Sequence, residues 1–300
     1  MVSVVIPCYN CESFVSRAIE SVLRQNYKDW ELILVNNNSK DNTQKVLDDY
    51  QKKYPDKIRT FLEMKKGGGA ARNKGLAEAK GEWIEFLDAD DELLPDKLER
   101  QLELLKQNNA HIVSSSFFLV KNIKGKEQKT VINPFSSNIW KGLISSKLGI
   151  TSANLWSKEK LQIVNGWDEN LSSSQEYDLL FRLLKADSKI CFDTTPSAFI
   201  YSMDDSVSKS TDLARVERIL TNLVNLRLSI KDYLVQKGIY DEELSQFLDV
   251  FLYNHLITRK ILAPEYVSEK IKSLHLNAPW KLRLKQNIKY IIKKQMMNFS

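Results

Sequence analysis

Only three cysteines, Cys8, Cys11 and Cys191, occur in 300 residues. So odd and sparse a set builds no disulfide framework, and a reducing cytoplasm is the expected compartment. Cys8 and Cys11 form a C-x-x-C, yet no second pair and no nearby histidine pair completes four zinc ligands, so both are read as occupants of a strand-end loop. No run of eighteen apolar residues exists, and no membrane-spanning helix is expected. The apolar start MVSVVIPCYN has no basic region and reaches a proline by Pro7, which reads as a buried strand rather than a secretory leader. Histidine is scarce as well: His111, His255 and His275 lie outside every motif below and are read as structural or exposed. Acid is missing from one stretch, residues 281–294, which hold six basic residues and no Asp or Glu.

What is present is ordinary in bulk. Hydrophobic residues make up 43% and charged residues 27%, as in globular proteins, and the length allows one large domain plus an appendage. The net charge of +6 is uneven. Residues 206–300 carry 16 Lys and Arg against 9 Asp and Glu, while the remainder holds 28 against 29. The basic excess belongs to the C-terminal third.

Strand and helix patterns alternate four times in the first hundred residues. VSVVI (2–6) is a β-branched apolar run suited to a parallel strand covered on both faces. A helical stripe follows at Phe14, Val15, Ala18, Ile19, Val22 and Leu23. WELILV (30–35), IRTFL (58–62) and residues 83–87 repeat the strand signal. Helices are expected around Val46, Leu47 and Tyr50, from the Gly67–Gly69 cluster through Leu76 and Ala79, and after Pro95. This order predicts an α/β, doubly wound and mostly parallel sheet, with ligands beyond the carboxyl ends of the strands. Loops 7–10, 36–39, 65–72 and 88–91 each follow a strand and are expected to converge on one crevice. Past residue 110 a strand is read at 111–120, a polar excursion at 122–135, a short helix at 137–148, a firm helix at 175–186, and two strands across 189–201. Only helical periodicity follows, over 211–236, 240–262 and about 280–296. The expected division is 1–208 and 209–300.

The sharpest chemical signal is WIEFLDADDELLP. A buried strand ends and places Asp88, Asp90 and Asp91 in its exit loop, where three close carboxylates repel unless a cation sits among them. Hard divalent cations accept such oxygen ligands and bridge to substrate phosphates. A solvated acidic turn capping the next helix is the alternative from these residues alone.

PCYN, VNNNSKDNT, GGGAARNKG, FLDADD and GWDENLSSSQEYDLLFRL, in that order over residues 1–208, resemble the family 2 glycosyltransferases. The resemblance implies the GT-A fold and inverting sugar transfer from a nucleotide-sugar, with UDP the expected nucleotide. It implies that Pro7, Tyr9 and Glu12 lie along the base and ribose, and that Arg72 steadies the nucleotide. Asn36 and Asn37 stand where the family usually has paired aspartates. Asp88, Ala89 and Asp90 match the D-x-D, with Asp88 toward the ribose and Asp90 toward the metal, Mn2+ or Mg2+. Glu176 falls where the family has its catalytic base, with Asp178 the second choice. The histidine that often closes this domain is absent from YSMDDSVS (201–208), where Asp204 or Asp205 is the substitute oxygen ligand. The acceptor implied is a saccharide or lipid-linked saccharide, met by loops around 120–175, in cell-surface polysaccharide or glycolipid assembly. A catalytically impaired nucleotide-sugar binding module and a nucleotidyltransferase on a related sheet are the other readings.

Trp280, Leu284, Ile288 and Ile291 recur near helical spacing among the basic residues of the tail. A basic amphipathic helix with an aromatic residue suits an anionic membrane surface, so residues 280–296 are expected to hold the enzyme on the inner face of the plasma membrane. Packing on the protein is the alternative, and nucleic acid is not the expected partner.

Overall fold

The structure is a computed structural model that describes residues 1–123, 126–133, 138–202 and 211–298. It divides into two units. The first comprises residues 1–137, 146–171 and 175–203, and the second residues 138–145, 172–174 and 204–300. The expected boundary at 208 lies outside the described residues.

The first unit opens with β1 (Val2–Cys8), α1 (Val15–Leu23), β2 (Trp30–Asn36), α2 (Thr43–Lys53), β3 (Ile58–Leu62), α3 (Gly68–Glu78) and β4 (Trp83–Phe86). The strands form a parallel β3-β2-β1-β4 array, the arrangement the sequence pattern predicts. α1 buries Val15, Ala18, Ile19 and Val22, one face at helical spacing. Each of the two valines and the isoleucine contributes roughly 1.5–3 kcal/mol on leaving water. α3 lies so close to β1 that a Cβ at Gly75 would sit 2.2 Å from Val5 Cγ1, so only glycine fits there.

The order then departs from simple alternation. β5 (Glu92–Leu93) and α4 (Lys97–Asn108) lead to β6 (Ile112–Ser115), and the chain passes at Ser116 into β7 (Phe117–Ile123) and β8 (Lys126–Ile132). The single strand expected at 111–120 is therefore two strands in two different sheets, and the polar excursion of 122–135 is half of a hairpin. β8 is exposed at six of its seven positions, which is why its sequence reads as a loop. In the second unit α5 (Ile139–Ile144) is capped by Asn138. Back in the first unit, a 3-10 turn at Thr151–Ala153 precedes β9 (Asn154–Ser157), α6 (Lys158–Ile163), α7 (Gln175–Lys185), β10 (Ile190–Asp193) and β11 (Ala198–Tyr201). β9 inserts antiparallel between β4 and β6, completing a seven-stranded sheet in the order β10-β6-β9-β4-β1-β2-β3. A second sheet runs β5-β11-β7-β8.

Beneath the main sheet, Lys97 of α4 reaches Glu85 of β4, with both side chains fully buried. The ammonium also donates to Gln101 Oε1 at 2.8 Å and Asn154 O at 3.2 Å. Burial lowers the Lys97 ammonium and raises Glu85 to about 8.

The second unit is helical: α8 (Leu213–Gln236), α9 (Glu242–Arg259), α10 (Pro264–Ser273) and α11 (Trp280–Asn298). Within it Arg227, fully buried, donates to Ile144 O at 3.1 Å, and Lys141 pairs with Glu243. Among the described residues no helix is long and apolar enough to cross a membrane.

Candidate active site

Four loops leave the carboxyl ends of β1, β2, β3 and β4, and hydrogen bonds join them one to the next. Beyond Pro7, half-buried in β1, Tyr9 is 55% exposed and Asn10 takes a left-handed φ of 47°. Asn10 N donates to Ser39 Oγ at 3.0 Å, while Lys40 N donates to Asn10 Oδ1 at 2.8 Å. Glu12 accepts from Asn42 N at 2.8 Å and donates its own N–H to Asp41 at 3.1 Å. The carboxylate of Glu12 thus fastens the β1 loop to the start of α2. Cys8 and Cys11 are buried, free thiols, and burial raises Cys8 far above the usual thiol range.

Asn36 and Asn37 are also buried, and the structure gives a reason for asparagine. Asn37 Nδ2 donates to the carbonyls of Glu63 at 3.0 Å and Lys65 at 2.7 Å, and its Oδ1 accepts from Gly67 N at 2.9 Å. Asn36 Nδ2 donates to Gln44 Oε1 at 2.7 Å, and its Oδ1 accepts from Ser39 N at 2.9 Å. A carboxylate cannot donate, and at 37 it would face two carbonyl oxygens. Gly67, at φ 130°, turns the chain into α3.

Arg72, on the first turns of α3, is where the loops meet the acids. Its guanidinium pairs with Asp88 Oδ1 at 2.6 Å, donates to Gln175 Oε1 at 3.4 Å, and stacks 4.7 Å from the Trp167 ring centroid. Asp88 and Ala89 follow β4, and Asp88 N donates to Ser152 Oγ at 3.1 Å. Asp90, half-buried, is raised to about 6, first by burial and then by the charge of Asp88. Asp91 points elsewhere. It accepts from Ser152 Oγ at 2.6 Å and Tyr201 N at 3.1 Å, which makes it the peg between the acidic loop, the 151–153 turn and β11. Arg17 of α1 donates to Asp90 O, pairs with Glu92 at 3.3 Å and lies 3.6 Å over the Tyr201 ring, bracing the same loop.

Glu176 sits in the first turn of α7, opposite this acidic loop. Burial raises its carboxyl well above the ordinary range, Asp88 raises it further, and Arg72 and a hydrogen bond with Thr151 pull it back. Asn154 Nδ2 approaches it at 3.4 Å. Asp178, two residues on, is bound at 2.8 Å by Arg182, which also anchors the carbonyls of Val164 and Gly166. The chain thus brings Arg72, Asp88, Asp90 and Glu176 into one electrostatic cluster and gives Asp178 to a different network. Thr151, Ser152, Asn154, Trp167 and Tyr201 join the cluster without being foreseen, and Gln175, next to Glu176 in the acidic motif, joins through Arg72. The Trp-Asp of GWDEN carried a signal for Trp167, whereas ITSANLW offers no periodicity or charge that marks a site.

Among the described residues no group of three or more His, Cys, Asp or Glu side chains encloses a metal. The Asp88/Asp90 pair nevertheless fits a hard divalent ion. The charge of Asp88 raises the proton affinity of Asp90, and such ions accept one or two protein carboxylates and fill the rest of their shell from phosphate and water. Asp204 and Asp205, the expected substitutes for histidine, lie outside the described residues. His111 accepts from Lys189 N at 2.9 Å, and His255, in the second unit, rests on Phe251 O at 3.2 Å.

Residues 3–162 match the family described as Glycosyl transferase family 2. The chain is 36% identical to the UDP-Glc:alpha-D-GlcNAc-diphosphoundecaprenol beta-1,3-glucosyltransferase WfgD of Escherichia coli, over 52% of this chain and 63% of that protein. The match thus spans less than two thirds of that relative's length. Among solved structures, S. aureus TarS 1-349 in complex with UDP-GlcNAc aligns with a TM-score of 0.62 at 15% identity, over 96% of this chain and 79% of the other. The mannosyltransferase PcManGT from Pyrobaculum calidifontis, in complex with GDP-Man and Mn2+, aligns at 0.58 and 17% identity, over 99% and 86%. The likeness shows the GT-A fold for this chain, whose central sheet is mostly parallel.

Proposed function

The chain belongs to glycosyl transferase family 2, and from that premise we propose that it moves a sugar from a UDP-sugar to an acceptor hydroxyl with inversion. The observation that carries this reading is the placement of Glu176. Its carboxyl lies within electrostatic reach of Asp88 and Arg72, and burial and Asp88 hold its proton affinity high. Such a carboxylate takes the acceptor hydroxyl's proton while the hydroxyl oxygen bonds to the anomeric carbon. The bond from that carbon to the nucleoside diphosphate breaks, and the diphosphate leaves with the electron pair. Arg72 changes partners in this scheme. It pairs with Asp88, and with donor bound its guanidinium turns part of its charge to the diphosphate, held flat by Trp167. Tyr9, exposed at the rim, offers a face to the base, with Pro7 and Glu12 shaping the same loop. Asn36 and Asn37 hold the neighbouring loops in place through bonds to backbone groups.

Asp88 and Asp90 are the residues that would hold Mn2+ or Mg2+, which supplies charge neutralisation for the departing diphosphate. Asp178 serves α7 through Arg182 and is not needed for proton transfer in this account. The reading as an impaired binding module draws on the asparagine run, but both amides are engaged within the loops, so their lack of charge says nothing against turnover. The relative named for transfer onto a diphosphoundecaprenol-linked GlcNAc supports a lipid-linked saccharide acceptor and a role in polysaccharide or glycolipid assembly. The test is release of UDP from a panel of UDP-sugars with Mn2+, before and after EDTA. Metal-dependent release with at least one donor is the expected result. Tight donor binding without turnover would favour the binding module instead.

A further inference from the structure

α11 is amphipathic in an unusual sense, because its apolar face is the one turned away from its own unit. At 100° per residue, Trp280, Leu284, Ile288, Ile291 and Ile292 fall within an arc of about 120°. Trp280 is 69% exposed, and the other four lie between 48% and 53%. On the opposite side Leu282, Gln286 and Tyr290 are half-buried against the unit. Gln286 donates to Asn254 Oδ1 of α9 at 2.7 Å, and Lys260 stands 5.2 Å over the Tyr290 ring. An ordinary surface helix buries its apolar stripe and shows its polar one. Here the helix is held by a polar and aromatic edge, and five large hydrophobic side chains face water.

Beside that stripe runs a row of exposed lysines, Lys281, Lys285 and Lys289, each one helical turn from the next. Lys293 and Lys294 follow in sequence, and no acid occurs from residue 270 to residue 300. We propose that this face of α11 docks the protein on an anionic phospholipid surface, with the helix lying in the plane of the headgroups. Trp280 and the isoleucines enter the acyl boundary there, and the lysine row meets the phosphates. Charge selects this occupant. A second copy paired through the same face would set two all-basic helices side by side, and a nucleic-acid duplex would leave the isoleucines in water. The surface lies apart from Asp88 and Glu176 in the sequence, and the proposal does not depend on the reaction assigned to them.

The test is cosedimentation of the full chain with phosphatidylcholine vesicles, with and without one third phosphatidylglycerol, at low salt. The protein is expected to pellet with the anionic vesicles alone and to release as salt rises. A blue shift in tryptophan emission should accompany binding and vanish in Trp280→Phe. Replacing Lys281, Lys285 and Lys289 by glutamine should weaken partitioning about a hundredfold, from ~1 kcal/mol per basic residue near such a surface. The triple variant Leu284→Ser, Ile288→Ser and Ile291→Ser should abolish it. All these positions are exposed, so each variant should melt with the parent chain. A chain that stays in the supernatant overturns the proposal. So does a serine variant that still binds, or a solution dimer that the serine variant dissolves.

Discussion

Replacing Lys97 by methionine probes the scaffold beneath the acidic loop, and its cost can be worked from charge and burial. In the parent chain near neutrality, Glu85 and Lys97 share one ionisable proton both folded and unfolded, so the pair adds little pH dependence. Methionine fills the space but leaves a fully buried carboxyl with no cation. Already raised to about 8 beside Lys97, Glu85 rises further without it and stays protonated in the folded variant. In the unfolded chain it ionises from its ordinary value of about 4.5. A raised carboxyl contributes stability that is complete below the unfolded pKa and is lost as pH rises toward the folded one. The loss therefore runs at about 1.4 kcal/mol per pH unit from about 4.5 upward, and amounts to about 3 kcal/mol at pH about 7. That matches the roughly 3–5 kcal/mol typical of removing one partner from a buried pair. Thermal melts should show Lys97→Met falling about 7–14 °C below the parent at neutral pH and converging with it in mild acid. Adding Glu85→Gln should flatten that pH dependence. A Lys97→Met melt that ignores pH, or a loss under about 1 kcal/mol, would refute the reasoning.

Two further outcomes follow from the site. Transfer should rise with pH along a limb placed above the ordinary carboxylate range, because Glu176 must lose its proton to act and burial with Asp88 opposes that loss. A pH profile of kcat/KM reads it, and a limb at the usual carboxylate value would count against Glu176. Asn37→Asp should destabilise the fold by roughly 2–3 kcal/mol, since a carboxylate there faces the carbonyls of Glu63 and Lys65. A neutral shift in denaturant midpoint would mean that the amide bonds matter less than their geometry suggests.

The first hundred residues were legible because each parallel strand is a short apolar run and each helix buries a stripe. The four strand-end loops were legible for the same reason, and their hydrogen-bonded chain from Asn10 to Arg72 follows from the topology. β9 was not, since Asn154–Ser157 is four residues long and owes its place to pairing with β4 and β6. The passage from β6 to β7 was hidden because an apolar run does not show which sheet it joins. The role of Asp91 was invisible too: three neighbouring aspartates look alike in sequence, and only the hydrogen bonds from Ser152 and Tyr201 separate it from Asp88 and Asp90. The outward apolar face of α11 could not be told from a packed one, because periodicity gives a stripe but not the side it turns to.

The most direct test of the account is Glu176→Gln, assayed for sugar transfer and, separately, for UDP-sugar affinity. Glutamine keeps the shape and the contact with Asn154 but cannot accept the proton. Loss of transfer by about 10²–10⁴, the usual contribution of a general base, with affinity unchanged is the predicted result. Transfer that persists, or affinity lost along with it, would contradict the assignment of Glu176 as the base.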